Sequence, residues 1–507
     1  MADKGYPNRT LITVAIMLAA ITGVLDSTIV TVALPQIQGS LSASPEQVIW
    51  VLTSYIVATA ISTPLSGWLA GRFGIKRVIL VTIAGFTITS MLCGIAVSLP
   101  EMVAFRVLQG LFGAAFIPLS QAVLLNINPP ERHAHALSVW AAGVMTAPIA
   151  GPLLGGYLTE AFSWRWCFYI NLPAGILAFL GVAAFMPREK VGTFRPFDFL
   201  GFGALALSVG ALQMMLDRGP GRDWFSSPEI WAYAVAAGAS FWVFIVHTLT
   251  AEHAFFDPAL TRDRNLVTAC FFNFTVGVLL MSSIGILPNM LQGLMGYPPM
   301  LAGVTNAPRG VGTLIAILIA GRIAGRVDPR LLLAIALSIS AAGIWMTTRF
   351  DLSMDTNPVL MSGFLQGFGM GLFATPLNII AYSTINSSLR AEASSLYNLV
   401  RNIGSSGGIA VVQAIAVANA QAIHESLAGR VSPDDQALRA ALPPVFDPST
   451  LMGALTLEAE ISRQSTMAAY VNVFRLLLLL CVLCMPLLLF LRPGRRTAGT
   501  APPPGEP

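Results

Sequence analysis

Apolar runs of roughly 20 residues, the length that crosses the hydrocarbon core of a bilayer, recur along this chain between short charged segments. The first eight lie near residues 11 to 34, 47 to 69, 78 to 98, 102 to 125, 134 to 159, 167 to 186, 197 to 216 and 229 to 249. Six more lie near 266 to 291, 298 to 321, 331 to 348, 357 to 380, 393 to 418 and 470 to 491, which predicts an all-α polytopic membrane protein with fourteen transmembrane helices. The first run follows Lys4 and Arg9 as a signal peptide would, but it is too long and carries Asp26, so it reads as a retained helix.

Two stretches resemble each other at about half the chain length. Leu108-Gln109-Gly110, followed by Phe116 and Pro118, is echoed by Leu365-Gln366-Gly367, followed by Phe373 and Pro376. Gly67 with Ala70-Gly71-Arg72 is echoed by Gly321 with Ala324-Gly325-Arg326. The pattern predicts a six-helix half over 1–190, a two-helix insert over 191–255 and a second six-helix half over 256–491. That second half is expected to contain an extramembrane loop at about 419–469, and a disordered, basic and then Pro-rich tail follows over 492–507. Repeated halves place a substrate site at their interface near the bilayer midplane and work by rocking one half against the other.

Composition agrees, because 55% hydrophobic against 11% charged residues leaves too few charges to coat a water-soluble protein of 507 residues. Of the 29 Lys and Arg, 18 fall in the segments on the N-terminal side of the alternating spans, 7 on the other side and 4 inside spans. This asymmetry puts both termini in the cytoplasm. The net charge of +4 is therefore a topology signal and not a nucleic-acid footprint. The five cysteines suggest no disulfide framework, and no metal site is assigned, although Cys481 and Cys484 have zinc-like spacing. Lys4, Lys76 and Lys190 are the only lysines and none stands in a P-loop, so uphill transport would draw on an ion gradient, with no cofactor.

Ionisable groups inside spans are costly and usually mark a pathway. Asp26 is the only carboxylate in the middle of a span, and it is the expected proton carrier, in a water-accessible chamber between the halves, with Arg106 tuning it. A structural ion pair with Arg106 is the other reading of the same two residues. Gln109, Asn273, Asn398, Arg401 and Arg309 are candidates for lining the substrate cavity. Gly143, Pro148, Gly151, Pro152, Gly155 and Gly156 crowd the fifth span and read as a kinked, closely packed hinge between the halves.

These residues carry a resemblance. The run from Gly143 to Gly156 is similar to the antiporter motif of the major facilitator superfamily. Leu25-Asp26-Ser27-Thr28-Ile29-Val30 through Ala33-Leu34-Pro35 resembles the first-helix motif of its fourteen-span drug:proton antiporters. Arg106 with Gln109, Gly110 and Gly113 matches the fourth-helix motif, and Trp164-Arg165-Trp166 with Phe168 to Pro173 is similar to the entry to the sixth helix. Asn398 to Gly404 and the loop before the last span resemble the EmrB-type subgroup. The resemblance implies a major facilitator fold and proton-coupled export of amphipathic or hydrophobic compounds. It also implies a Gram-negative inner membrane, a periplasmic adaptor of EmrA-like type and a TolC-like outer-membrane channel. In the gating loop of Gly67, Gly71, Arg72, Gly74, Lys76 and Arg77, Gly71 stands where the family has an Asp. A proton-coupled symporter or facilitator, an exporter of lipid, fatty acid or siderophore, and a membrane receptor or scaffold are the rival readings.

Overall fold

The computed structural model describes residues 8–187, 196–251, 254–323, 327–429, 431, 443–447 and 449–490. The tail from 492, the boundary placed at 190/191, the repeated triplet Ala324-Gly325-Arg326, and Lys4 and Lys190 lie outside these. Among the described residues every regular element is a helix. Those of nine or more residues are α1 (Arg9–Ser40), α2 (Trp50–Ser62), α3 (Leu65–Phe73), α4 (Ile75–Ile95), α5 (Leu99–Gly113), α6 (Phe116–Ile127), α7 (His133–Ala161) and α8 (Asn171–Phe185). The insert holds α9 (Phe199–Arg218) and α10 (Pro228–Thr250). The second half follows with α11 (Arg264–Asn289), α12 (Pro299–Ile323), α13 (Pro329–Thr347), α14 (Thr356–Tyr382), α15 (Arg390–Ala428) and α16 (Leu451–Cys484).

Twelve helical segments among the described residues are long and apolar enough to cross a membrane, and shorter apolar helices at Trp50–Ser62 and Arg264–Leu279 occupy the two other expected spans. Where a span is split, proline explains it. Pro64 has no N–H for the carbonyl of Ala60, and Pro118 has none for Ala114, so α2/α3 and α5/α6 are each one rod with a break. The outer surface is inverted relative to a soluble protein: Val81, Ile88, Leu153, Leu177, Trp242, Leu249 and Val304 are all exposed. A surface of this kind is stable against lipid, where only helices with internally satisfied backbones can stand.

The duplication legible in the sequence is also a duplication of packing. In the first half α1 packs on α7 and on α8, α5 packs on α2 and on α4, and α8 packs on α4. In the second half α11 packs on α15, and α14 packs on α12 and on α13. The insert pairs α9 with α10 and leans on both α2 and α15. Two helices run past their apolar spans. The segment expected as a loop over 419–469 is helix up to Ala428 and again from Leu451, where the Thr450 hydroxyl caps the helix by accepting from Gly453 N at 3.0 Å.

Candidate functional site

Among the described residues, two polar clusters that join several helices interrupt the apolar interior toward opposite faces, apart from the smaller Arg309–Gln366 group. The start of α1 lies at one of these faces, the N-terminal face. In the first cluster, α1 presents Asp26 and α5 presents Arg106 and Gln109, three residues apart and so on one side of the helix. Asp26 and Arg106 are both 0% exposed and meet with Nη1 to Oδ2 at 2.6 Å. The other carboxylate oxygen accepts from Gln109 Nε2 at 2.9 Å and from Asn171 Nδ2 at 2.8 Å. Arg106 also donates from Nη1 to Gln109 Oε1 at 2.8 Å and from Nε to the carbonyl of Val51 at 2.9 Å, and its guanidinium lies 4.2 Å from the centre of the Tyr55 ring. Asn171 in turn donates to Ser90 Oγ at 2.9 Å, and that hydroxyl donates to the carbonyl of Phe168. On the side away from the N-terminal face, an apolar cluster that includes Ile29, Val30, Val51, Cys93, Met102, Trp164 and Phe168 covers it.

This arrangement corrects the expectation for Asp26. The carboxylate is not in a chamber between the halves; it is inside the first half, sealed and held by three donors. The reason is electrostatic: a buried carboxylate costs least when it is paired and hydrogen-bonded, and α5 and α8 supply those donors to α1 within one bundle.

The second cluster lies across the seam between the halves, near the N-terminal face. Gln121 Oε1, on α6, accepts from Asn398 Nδ2 at 2.8 Å and Ser394 Oγ at 2.9 Å, both on α15, and from Tyr382 Oη of α14 at 3.3 Å. The Ser395 hydroxyl donates to the carbonyl of Thr63 at 2.7 Å, Arg390 Nη1 donates to that of Leu125 at 2.5 Å, and Ser138 Oγ pairs with Thr375 Oγ1 at 2.8 Å. A Cβ on Gly67 would stand 2.7 Å from Glu392 Cα, so glycine there permits backbone contact between the halves. The protein is therefore held shut at the N-terminal face.

The remaining sequence-derived candidates separate. Asn398 is in the seam, while Asn273 donates to the carbonyl of Tyr397 at 2.9 Å and ties α11 to α15 inside the second half. Arg309 is 7% exposed and donates from Nη2 to Gln366 Oε1 at 3.0 Å, with Nε and Nη1 unpartnered. Arg401 is partly exposed on α15. The fifth-span glycines are not a contact between the halves, since a Cβ would reach Met17 Sδ from Gly143 at 2.2 Å, Thr28 Oγ1 from Gly151 at 2.1 Å and the Ile29 carbonyl from Gly155 at 3.0 Å. They let α7 approach α1 within the first half, as small residues do where lipid gives helices no hydrophobic drive to associate. Gly156 meets nothing within 4 Å, and Pro148 and Pro152 lie on the exposed side of a helix unbroken from His133 to Ala161.

In the gating loop, Gly74 ends α3 at φ 84, a left-handed backbone that favours glycine. Arg72 lies over the Trp68 and Phe73 rings at 5.4 and 5.5 Å. Lys76 Nζ donates to the carbonyls of Ala183, at 2.8 Å, and Met186, closing the C-terminal end of α8. Arg77 is exposed, and nothing lies within 4 Å of a Cβ built on Gly71. Sequence reasoning missed Asn171, Gln121 and Ser394 as site residues. A single glutamine twelve residues beyond Gln109 in the same apolar run was the available signal for Gln121.

The major facilitator superfamily model matches residues 16–409. The multidrug export protein EmrB of Escherichia coli (strain K12) is 37% identical over 425 residues, 83% of each chain. The fatty acid resistance protein FarB of Neisseria gonorrhoeae is 36% identical over 423 residues, again 83% of each. Among solved structures, the human organic anion transporter MFSD10 (TETRAN) aligns with a TM-score of 0.61 at 13% identity, covering 94% of this chain and 100% of that one, which bears on fold alone. With its paired six-helix packing and this match over most of its length, the chain is a multi-pass membrane protein that belongs to the major facilitator superfamily.

Proposed function

We propose that this protein exports small amphipathic or hydrophobic compounds across the inner membrane in exchange for protons, as a multidrug efflux antiporter of EmrB type. Asp26 is the proton carrier and Arg106 the partner it leaves and regains. The observation that carries the reading is the buried Asp26–Arg106 ion pair completed by Gln109 and Asn171. Neutralising one member of such a pair leaves its partner charged and desolvated, at a cost of about 3–5 kcal/mol. Protonation of Asp26 is thereby linked to rearrangement of α1 against α5 and α8, and α1 also carries α7 with it through the glycine contacts. The N-terminal face is closed in this structure, and opening it requires breaking the Gln121 cluster. The relatives support the export direction, one named for multidrug export and one for fatty acid resistance.

Both termini are cytoplasmic in this reading, so the C-terminal end of α15 and the start of α16 lie in the periplasm. There His424 and Glu458 join the two helices at 2.7 Å, and Leu451, Met452 and Leu455 are exposed. This ridge is the docking surface for an EmrA-like adaptor, which connects to a TolC-like channel.

The test is transport by inverted vesicles. Asp26→Asn loses drug accumulation driven by a pH gradient and keeps downhill drug exchange. Unchanged gradient-driven accumulation in the variant would remove Asp26 from the mechanism.

A further inference from the structure

The six spans of the second half hold three arginines, Arg309, Arg401 and Arg475, and no carboxylate at all. An arginine within a span must be paired, reach the bilayer surface or face a polar cavity. Arg475 is exposed and donates to Asn472 Oδ1 at 3.1 Å, and Arg309 is turned into the half against Gln366. Arg401 has neither arrangement. It has no hydrogen bond or ion pair among the described residues, and it sits eleven residues into α15, about 16 Å along the axis, too deep to reach the surface.

Its place on α15 shows what it faces. Asn398, one turn earlier, is buried in the seam against Gln121. Gly404 and Gly408 turn to α11, where a Cβ would strike the backbone of Phe274 at 2.4 Å and Val278 at 2.7 Å. Arg401, Asn402, Ser405 and Ser406 are all partly exposed. Arg401 thus stands one turn beyond the seam residue Asn398, as a cation without a counter-charge among the described residues. Beyond it the helix runs through Gly407, Gly408, Ile409, Ala410, Val411 and Val412, small and apolar.

We propose that Arg401 is a specificity-determining residue of the seam and binds the anionic head group of the cargo, a carboxylate or sulfonate amphiphile with a hydrocarbon tail. The inference rests on the export reading and narrows its substrate class. A guanidinium recognises such a head by two parallel charge-assisted hydrogen bonds.

The test is equilibrium binding to the full chain in lipid nanodiscs, with laurate, dodecyltrimethylammonium of the same chain length, and acetate as the head group alone. Wild type is expected to bind laurate at least about tenfold more tightly than the cationic analogue, with acetate too weak to compete, since losing one good ionic contact costs about a factor of ten or more. Arg401→Gln is expected to lose that preference, and Arg401→Lys to keep most of it. Equal affinity of wild type for the two amphiphiles overturns the proposal without recourse to any variant, as does laurate binding unchanged in Arg401→Gln. Proton-linked flux of a cationic dye without laurate binding would sink the anion site and leave export standing. Laurate bound through Arg401 without proton-linked flux would uphold the site and refute export.

Discussion

The two halves of this protein share a pairing of helices but not an electrostatic plan. In the first half Gln109 accepts from an arginine that also holds a carboxylate, so charge inside the bundle is balanced. In the second half the repeated glutamine, Gln366, accepts from Arg309, which comes from α12 instead of the glutamine's own helix and meets no acid among the described residues. Duplication preserved the helix contacts, which depend on small residues at fixed spacings, and left the ionisable positions free to diverge. Inside its spans the first half thus pairs an acid with a base, whereas the spans of the second half carry arginines and no carboxylate.

Six substitutions would break or sharpen this comparison. The largest effect is expected from Arg106→Leu, which strands Asp26 without its counter-ion and should lower stability by about 3–5 kcal/mol. Thermal unfolding in detergent measures this, and adding Asp26→Asn should recover much of the loss without restoring proton coupling. Arg309→Met in the other half should cost far less, because it removes a buried cation whose Nε and Nη1 have no partner. A melting loss as large as that of Arg106→Leu would mean that the halves are electrostatically alike after all. Gln121→Leu removes the acceptor shared by three donors from the second half and should weaken closure by about 1–3 kcal/mol. Greater labelling of a cysteine placed near Thr375 from the N-terminal face would report the opening. The smallest change belongs to Gly156→Ala, within about 0.5 kcal/mol, since its Cβ meets nothing, whereas Gly151→Ala collides with Thr28 and should be clearly destabilising.

Much of the fold could be read before any coordinates. The apolar spans fell at the observed helices, and the Gln109 and Gln366 repeats pointed to two related bundles. The ion pair of Asp26 with Arg106 was legible as well, because a bilayer leaves a lone acid and a nearby arginine few other choices. The site around them was not. Nothing in the spacing of α1 and α8 says that Asn171 completes the carboxylate's shell, and the glycines of α7, read as a contact between halves, turned out to face α1.

What the sequence by itself determined was therefore the solvent, the apolar character of the spans, the duplication and the identity of the charged groups inside the bundle. Those follow from composition and period, which lipid enforces along every segment independently. Tertiary structure alone decided which half encloses Asp26, that Gln121 closes the seam, and that Arg401 stands without a partner among the described residues. Each of these depends on how helices distant in sequence rotate and pack against one another, a choice settled by close contacts across the bundle and not by any local pattern.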